Sequence, residues 1–355
     1  MTSKTKAPEY LDSASTTKVD DRVLKAMIPY FTEFYGNASS NHDFGKLAKS
    51  AIETARIKVG ELINCNEKEI IFTSGSTESI NLAIKGYTES NTEKGNHIIT
   101  VKTEHKAVLS TCEYLETKGY EVTYLDVDEN GLISLTELRN TIKEDTFLIV
   151  IMYVNNETGV IQPINEIGKI ARDYDVTFFC DATQAVGKIK VDVEEDLIDM
   201  LCFSGHKLNG PKGIGILYKR GGVEITPLIH GGGQEDGLRG GTYNTPLIVG
   251  LGKACGLVNS EFESNFSELI KKRLEIENYY EGNRIGEVNF KNAKTAPHII
   301  SIKLNTLKSE DYLILKSKEL IASTGSACNA ALIQESHVLK ALKIEGIDKI
   351  IRISI

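Results

Sequence analysis

From residue 70 onward, short apolar runs recur along the chain: EIIFT (69–73), HIIT (97–100), EVTYL (121–125), FLIVIMYV (147–154), VTFFC (176–180), MLCFS (200–204) and IGILY (214–218). Their length and their β-branched and aromatic content predict buried strands. Helical spacing fills several of the gaps, at 77–87 and 106–118, and PINEIGKIARDYD (163–175) opens with a proline suited to a first helical turn. Alternation of this kind predicts an α/β architecture, a mainly parallel sheet between helices. Ligands of such sheets bind beyond the carboxyl ends of the strands. After about residue 255 the texture changes. A long polar helix-like segment (259–282) leads into HIISIKL (298–304), ELIAS (319–323) and KIIRISI (349–355). The expectation is a large domain over 16–258 and a smaller α+β domain made from 1–15 and 259–355.

Bulk properties narrow the function. The 355 residues suit one large α/β unit with a smaller appendage. The net charge of −8 is the wrong sign for neutralising phosphates, so direct nucleic-acid binding is not expected. Six cysteines are scattered with no C-x-x-C pair. This argues against a zinc site and a disulfide framework, and for a reducing compartment. The opening MTSKTKAPEY carries no signal-peptide pattern, and no apolar run approaches the ~20 residues of a membrane span. A cytoplasmic protein with no metal and no membrane partner is the expectation.

The residues with chemistry fall where strands end. FTSGSTES (72–79) offers Ser76 and Thr77 at a strand-to-helix turn, where N–H groups and hydroxyls meet a phosphate; a simple capped loop has the same composition. Asp181 closes VTFFCD, with Gln184 just after it. A carboxylate there can cap a helix or keep a heteroaromatic nitrogen protonated, as pyridoxal phosphate (PLP) chemistry requires. Lys207 follows the next strand in SGHKLNGPKG, where a confined amine could meet an aldehyde. His105 in TEHKAVL could stack on a ring or sit near a helix start, and NNETG (155–159) with Asn156 reads equally as a polar turn. Cys180 and Cys202 lie within apolar runs and read as buried small hydrophobes. Cys328 lies among Ala, Ser, Asn and Gly in STGSACNAALIQES (323–336), which predicts a mobile loop, at about 324–336, with an accessible thiol. Arg352 sits among isoleucines and needs an anionic partner, whether a substrate carboxylate or a structural one. HGGG (230–233) lacks a G-x-S-x-G companion, and GPKGIG (210–215) lacks dinucleotide-site spacing.

With YLDSASTT (10–17), these motifs resemble, in order and over nearly the whole chain, the cysteine desulfurases of the IscS/NifS type, fold-type I PLP enzymes: TSGSTESINLAIKG, KTEHKAVL, VNNETGV, DATQAVGK, SGHKLNGPKGIG, HGGGQEDGLRGGT and STGSAC. The resemblance implies that Lys207 holds PLP and moves protons, that Asp181 pairs with the ring nitrogen, and that Gln184 and Asn156 bond the ring hydroxyl. It implies that His105 stacks on the ring. Thr77, Ser204 and His206, with Ser76 beside them, would hold the phosphate, joined by Thr242 from the other subunit of a homodimer. Arg352 and Asn156 would bind the carboxylate of L-cysteine, and Cys328 would take its sulfur as a persulfide for an acceptor protein of iron–sulfur assembly or nucleic-acid thiolation. A selenocysteine lyase, a class V aminotransferase and a non-catalytic sulfur carrier are the alternatives.

Three departures stand out. Ser15 and Lys18 occupy STTK where many relatives have ATT followed by proline, and Gln234 stands where histidine is common. The chain stops at Ile355, where relatives continue with a helical segment, so the smaller domain is expected to be loosely held or completed by another element.

Overall fold

The computed structural model describes residues 7–324 and 335–355. A two-residue strand, β1 (Glu9–Tyr10), precedes a seven-stranded sheet of β2 (Ile70–Thr73), β3 (His97–Val101), β4 (Glu121–Leu125), β5 (Thr146–Val150), β6 (Thr177–Asp181), β7 (Met200–Ser204) and β8 (Gly215–Lys219). All seven coincide with the apolar runs. Their spatial order is β2-β8-β7-β6-β5-β3-β4. Five adjacent strands, from β7 to the edge strand β4, pair in parallel, and β8 alone runs against both neighbours.

Apolar side chains fill both faces of this sheet, as near-continuous hydrophobic strands require. Phe178, Cys180, Leu201 and Phe203 enter one core, while Phe179, Met200 and Cys202 enter the other. The strict alternation accounts for Cys180 and Cys202 as packing residues. Helices Asp43–Ile63 and Ile164–Asp173 cover the first face, and Lys106–Glu116 the second.

A second, antiparallel sheet has the order β12-β13-β10-β9, from β9 (Gly286–Val288), β10 (Ile299–Leu304), β12 (Ser323–Thr324) and β13 (Ile350–Ser354). Beside it β11 (Leu320–Ile321) pairs with β1, and Asp12 bridges to Ser354. The N-terminal residues thus join the C-terminal sheet. ELIAS is two strands rather than one, because Ala322 separates a pair made with β1 from a pair made with β13.

The polar helix expected at 259–282 begins at Thr245 and runs unbroken to Gly282. Asn244 caps it by accepting from Leu247 N, and a proline occupies its first turn. Its first half is apolar and small, so it packs against Asp43–Ile63 and does not read as polar. The boundary expected at 258/259 therefore falls inside a continuous helix.

Candidate active site

The parallel strands deliver their last residues to one edge of the sheet, and a cavity of about 550 Å³ opens there. Its wall includes Ser76, Thr77, His105, Asn156, Asp181, Gln184, Ser204, His206, Lys207 and Arg352. Ten candidates scattered over nearly 280 positions of sequence thus meet in one place. Thr242 does not line it; it faces a neighbouring hollow with Arg239, Gly241 and Asn244. Cys328 lies outside the described residues.

Lys207 ends a single 3-10 turn directly after β7. Its Nζ donates to the carbonyls of Ala14 (2.6 Å) and Ser15 (2.7 Å). Asp181 ends β6, buried, and its Oδ1 accepts from Thr183 N and Thr183 Oγ1. Gln184 donates through Nε2 to the same Ala14 carbonyl and meets His298 Nε2 at 3.3 Å through Oε1.

His105 caps helix Lys106–Glu116, its Nδ1 accepting from Ala107 N at 3.1 Å. Burial holds its pKa below the ordinary value, with Asp181 pulling upward and Lys207 adding to the depression. The ring is therefore neutral at pH 7, and its proton sits on Nε2. Burial and the charges of Lys207 and Lys212 press His206 down to about 4. It too is neutral, within reach of Thr16 Oγ1 (3.1 Å).

The turn before Ser76 needs glycine twice. Gly75 has φ +152°, and a Cβ on Gly215 of β8 would stand 2.7 Å from the Gly75 Cα. This close approach brings Ser204 against the helix start, where its Oγ accepts from Ser76 N at 2.7 Å.

Arg352 is buried in the middle of β13. Its Nη2 donates to Asp12 Oδ1 and Ser15 Oγ, both at 2.7 Å, and Nη1 donates to the Asn156 carbonyl at 3.0 Å. Asp12 supplies the structural partner that a buried arginine requires. One Nη1 hydrogen and the Nε hydrogen remain without acceptors among the described residues.

Several residues here had no site role in the sequence reading. Ser15 and Thr16 of the wall, and Asp12 behind Arg352, come from the N-terminus, about 190 positions before Lys207, and only tertiary closure places them. Thr183 lies inside DATQ, between the two candidates Asp181 and Gln184. Behind the wall, Glu104 is fully buried, with its pKa pushed well above the carboxylate range by burial, and accepts from Met152 N. Burial likewise raises Glu157 to about 7, where it accepts from Ser336 Oγ.

This chain belongs to the class-V aminotransferase family, whose profile matches residues 9–355. That family uses pyridoxal phosphate, so the class is a PLP-dependent enzyme. Among curated proteins, the chain is 50% identical over 340 residues to the cysteine desulfurase IscS of Neisseria meningitidis serogroup C (strain 053442), covering 95% of this chain and 84% of the relative. A solved NifS-like protein matches with a TM-score of 0.90 at 38% identity, over 98% of this chain and 93% of that one. SspA, solved in complex with cysteine, matches with a TM-score of 0.85 at 39% identity, over 98% of each chain. Among the described residues, no helix is long and apolar enough to cross a membrane.

Proposed function

We propose that this chain is a cysteine desulfurase that converts L-cysteine to L-alanine and places the sulfur on Cys328 as a persulfide. One observation carries the proposal: an amine, a carboxylate with an oxygen free toward the cavity, a neutral imidazole and a guanidinium with N–H groups to spare converge at one strand-end cavity. The wall fits PLP by its chemistry. Lys207 would hold it covalently, Asp181 would face the ring nitrogen, Gln184 and Asn156 the ring hydroxyl, and Ser76, Thr77, Ser204 and His206 the phosphate. When bound, the cofactor supplies an aldehyde for the substrate amine and a ring that accepts the electrons of the Cα–H bond.

The chain's own residues do the rest. Arg352 would receive the substrate carboxylate on the N–H groups left by Asp12, which fixes the amino acid's orientation. His105, neutral and in the cavity wall, would stack on the cofactor ring without adding charge there. Lys207, displaced by the substrate's amine, would carry the α-proton. The Cys328 thiolate would then form an S–S bond to the substrate sulfur as the Cβ–S bond breaks, and the carbon takes a proton to become alanine. The persulfide would pass to an acceptor protein of iron–sulfur assembly or nucleic-acid thiolation. The setting would be the cytoplasm, and the working unit a homodimer in which Thr242 reaches the partner's phosphate site.

The deciding experiment uses Cys328→Ser, loaded with PLP and given cysteine. The variant should keep the visible absorbance of the cofactor but lose alanine release and the added sulfur mass together. Undiminished alanine formation would instead indicate a lyase or an aminotransferase.

A further inference from the structure

Among the described residues, the hydrogen bonds to Asp181 all arrive at one oxygen. Oδ1 accepts from Thr183 N (3.0 Å), Thr183 Oγ1 (2.5 Å) and, more weakly, Cys202 Sγ (3.6 Å). Oδ2 makes no hydrogen bond among the described residues, and Asp181 lines the cavity. The carboxylate is thus held from one side and presents its other oxygen to the ligand.

The holding does not end at Thr183. Thr183 Oγ1 is 2.7 Å from Ser76 Oγ, which is 2.9 Å from Ser204 Oγ. The directions of these bonds follow from the ends. A carboxylate oxygen only accepts, so Thr183 spends its hydroxyl hydrogen on Asp181 and must accept from Ser76. Ser76 in turn must accept from Ser204, whose oxygen already accepts the Ser76 N–H. Three hydroxyls therefore point the same way, from the phosphate cradle to the carboxylate, and such aligned bonds strengthen one another.

We propose that Thr183 is a positioning residue for Asp181. Its hydroxyl pins Oδ1, turns Oδ2 toward the place of the ring nitrogen, and ties the carboxylate to the Ser76–Ser204 pair. This rests on the PLP assignment above. The backbone bond from Thr183 N alone is the ordinary turn that an aspartate makes with the residue two ahead. The hydroxyl is the addition, and it connects the two ends of the cofactor site. Phosphate is also an acceptor, so a phosphate in the cradle draws the Ser204 and Ser76 hydrogens away from the chain. Occupancy at one end is then felt at the carboxylate on the other.

The test compares the wild-type holoenzyme with Thr183→Val, which keeps the shape and removes the hydroxyl, and with Thr183→Ser, which restores it. Visible absorbance of the bound cofactor is titrated with pH in the absence of substrate. Loss of one hydrogen bond to the carboxylate should move the titration midpoint of Thr183→Val by about one pH unit. PLP should also dissociate about tenfold more readily. Thr183→Ser should return both to the wild-type values. A valine variant that titrates like the wild type overturns the proposal, as does a serine variant that fails to restore it, since that would assign the effect to the methyl group. Thr183→Ala, which only removes atoms, repeats the comparison should valine not fold. A wild-type protein with no visible band after PLP addition would refute the cofactor assignment itself, a separate and recognisable failure.

Discussion

Glu157 shows how one side chain records the shape of the site. Burial raises its pKa to about 7, against the pull of the Ser336 hydroxyl and the nearby Arg352 and Lys106 charges. In the unfolded chain it ionises near 4.3, so between those values the folded protein holds a proton that the unfolded one has released. Its contribution is complete at low pH and is lost as pH rises through 7. His206 acts in the opposite sense. Its folded pKa of about 4 makes folding more favourable as pH rises toward 6.5. The two offset each other in the wild type, and Glu157→Gln removes one of them. The variant should match the wild type below about pH 4 and exceed it by about 3–4 kcal/mol at pH 8, as measured by urea unfolding. At this scale the sequence was legible wherever chemistry followed a strand end, as with Asp181 and Lys207. It was silent on the burial of Glu104 and Glu157 and on the contacts of Asp12, whose neighbours are set by chain closure over long separations.

Among elements, the strands read well because buried parallel strands are nearly continuous apolar runs, and sequence records burial directly. The start of helix Thr245–Gly282 read poorly because its small apolar half is indistinguishable from core until the cap is seen. The stretch after HGGG is the least legible. There Glu235 and Asp236 hold left-handed backbone (φ 48° and 53°) so that Glu235 can bury its carboxylate. Both oxygens accept from Arg56 at 2.9 Å, and Oε2 also accepts from Phe72 N at 3.1 Å. Arg56 lies 4.7 Å over the Phe72 ring and donates to the Ile70 carbonyl as well. The pair fastens the stretch leading to Thr242 onto β2. Glu235→Gln would strand a buried guanidinium and should cost about 3–5 kcal/mol in denaturant unfolding. Arg56→Met combined with Glu235→Gln should cost less than the single change, since no uncompensated charge remains.

On the scale of the whole molecule, the segment 28–47 leaves several large apolar side chains exposed. Ile28, Phe31, Tyr35, Phe44 and Leu47 are each about half exposed or more, with Tyr35 at 69% and its ring 5.7 Å from that of Phe44. Exposed patches of this kind mark interfaces. The proposed homodimer would cover it, and light scattering should report twice the chain mass. Tyr35→Asp with Phe44→Asp should shift the mass to that of one chain, and PLP should then be lost more readily if Thr242 serves the partner's site. A double variant that stays dimeric would place the interface elsewhere.

Ser15 touches both cations of the cavity. Its carbonyl accepts from Lys207 Nζ, and its hydroxyl accepts from Arg352 Nη2. One cation comes from the seven-stranded sheet and the other from the smaller one, yet a few covalent bonds of a single residue set the gap between them. The molecule thus carries its own yardstick. An α-amino acid, whose amine and carboxylate share one carbon, is the kind of substrate a short gauge would suit, and a substrate with its carboxylate moved one methylene along the chain should show a higher KM.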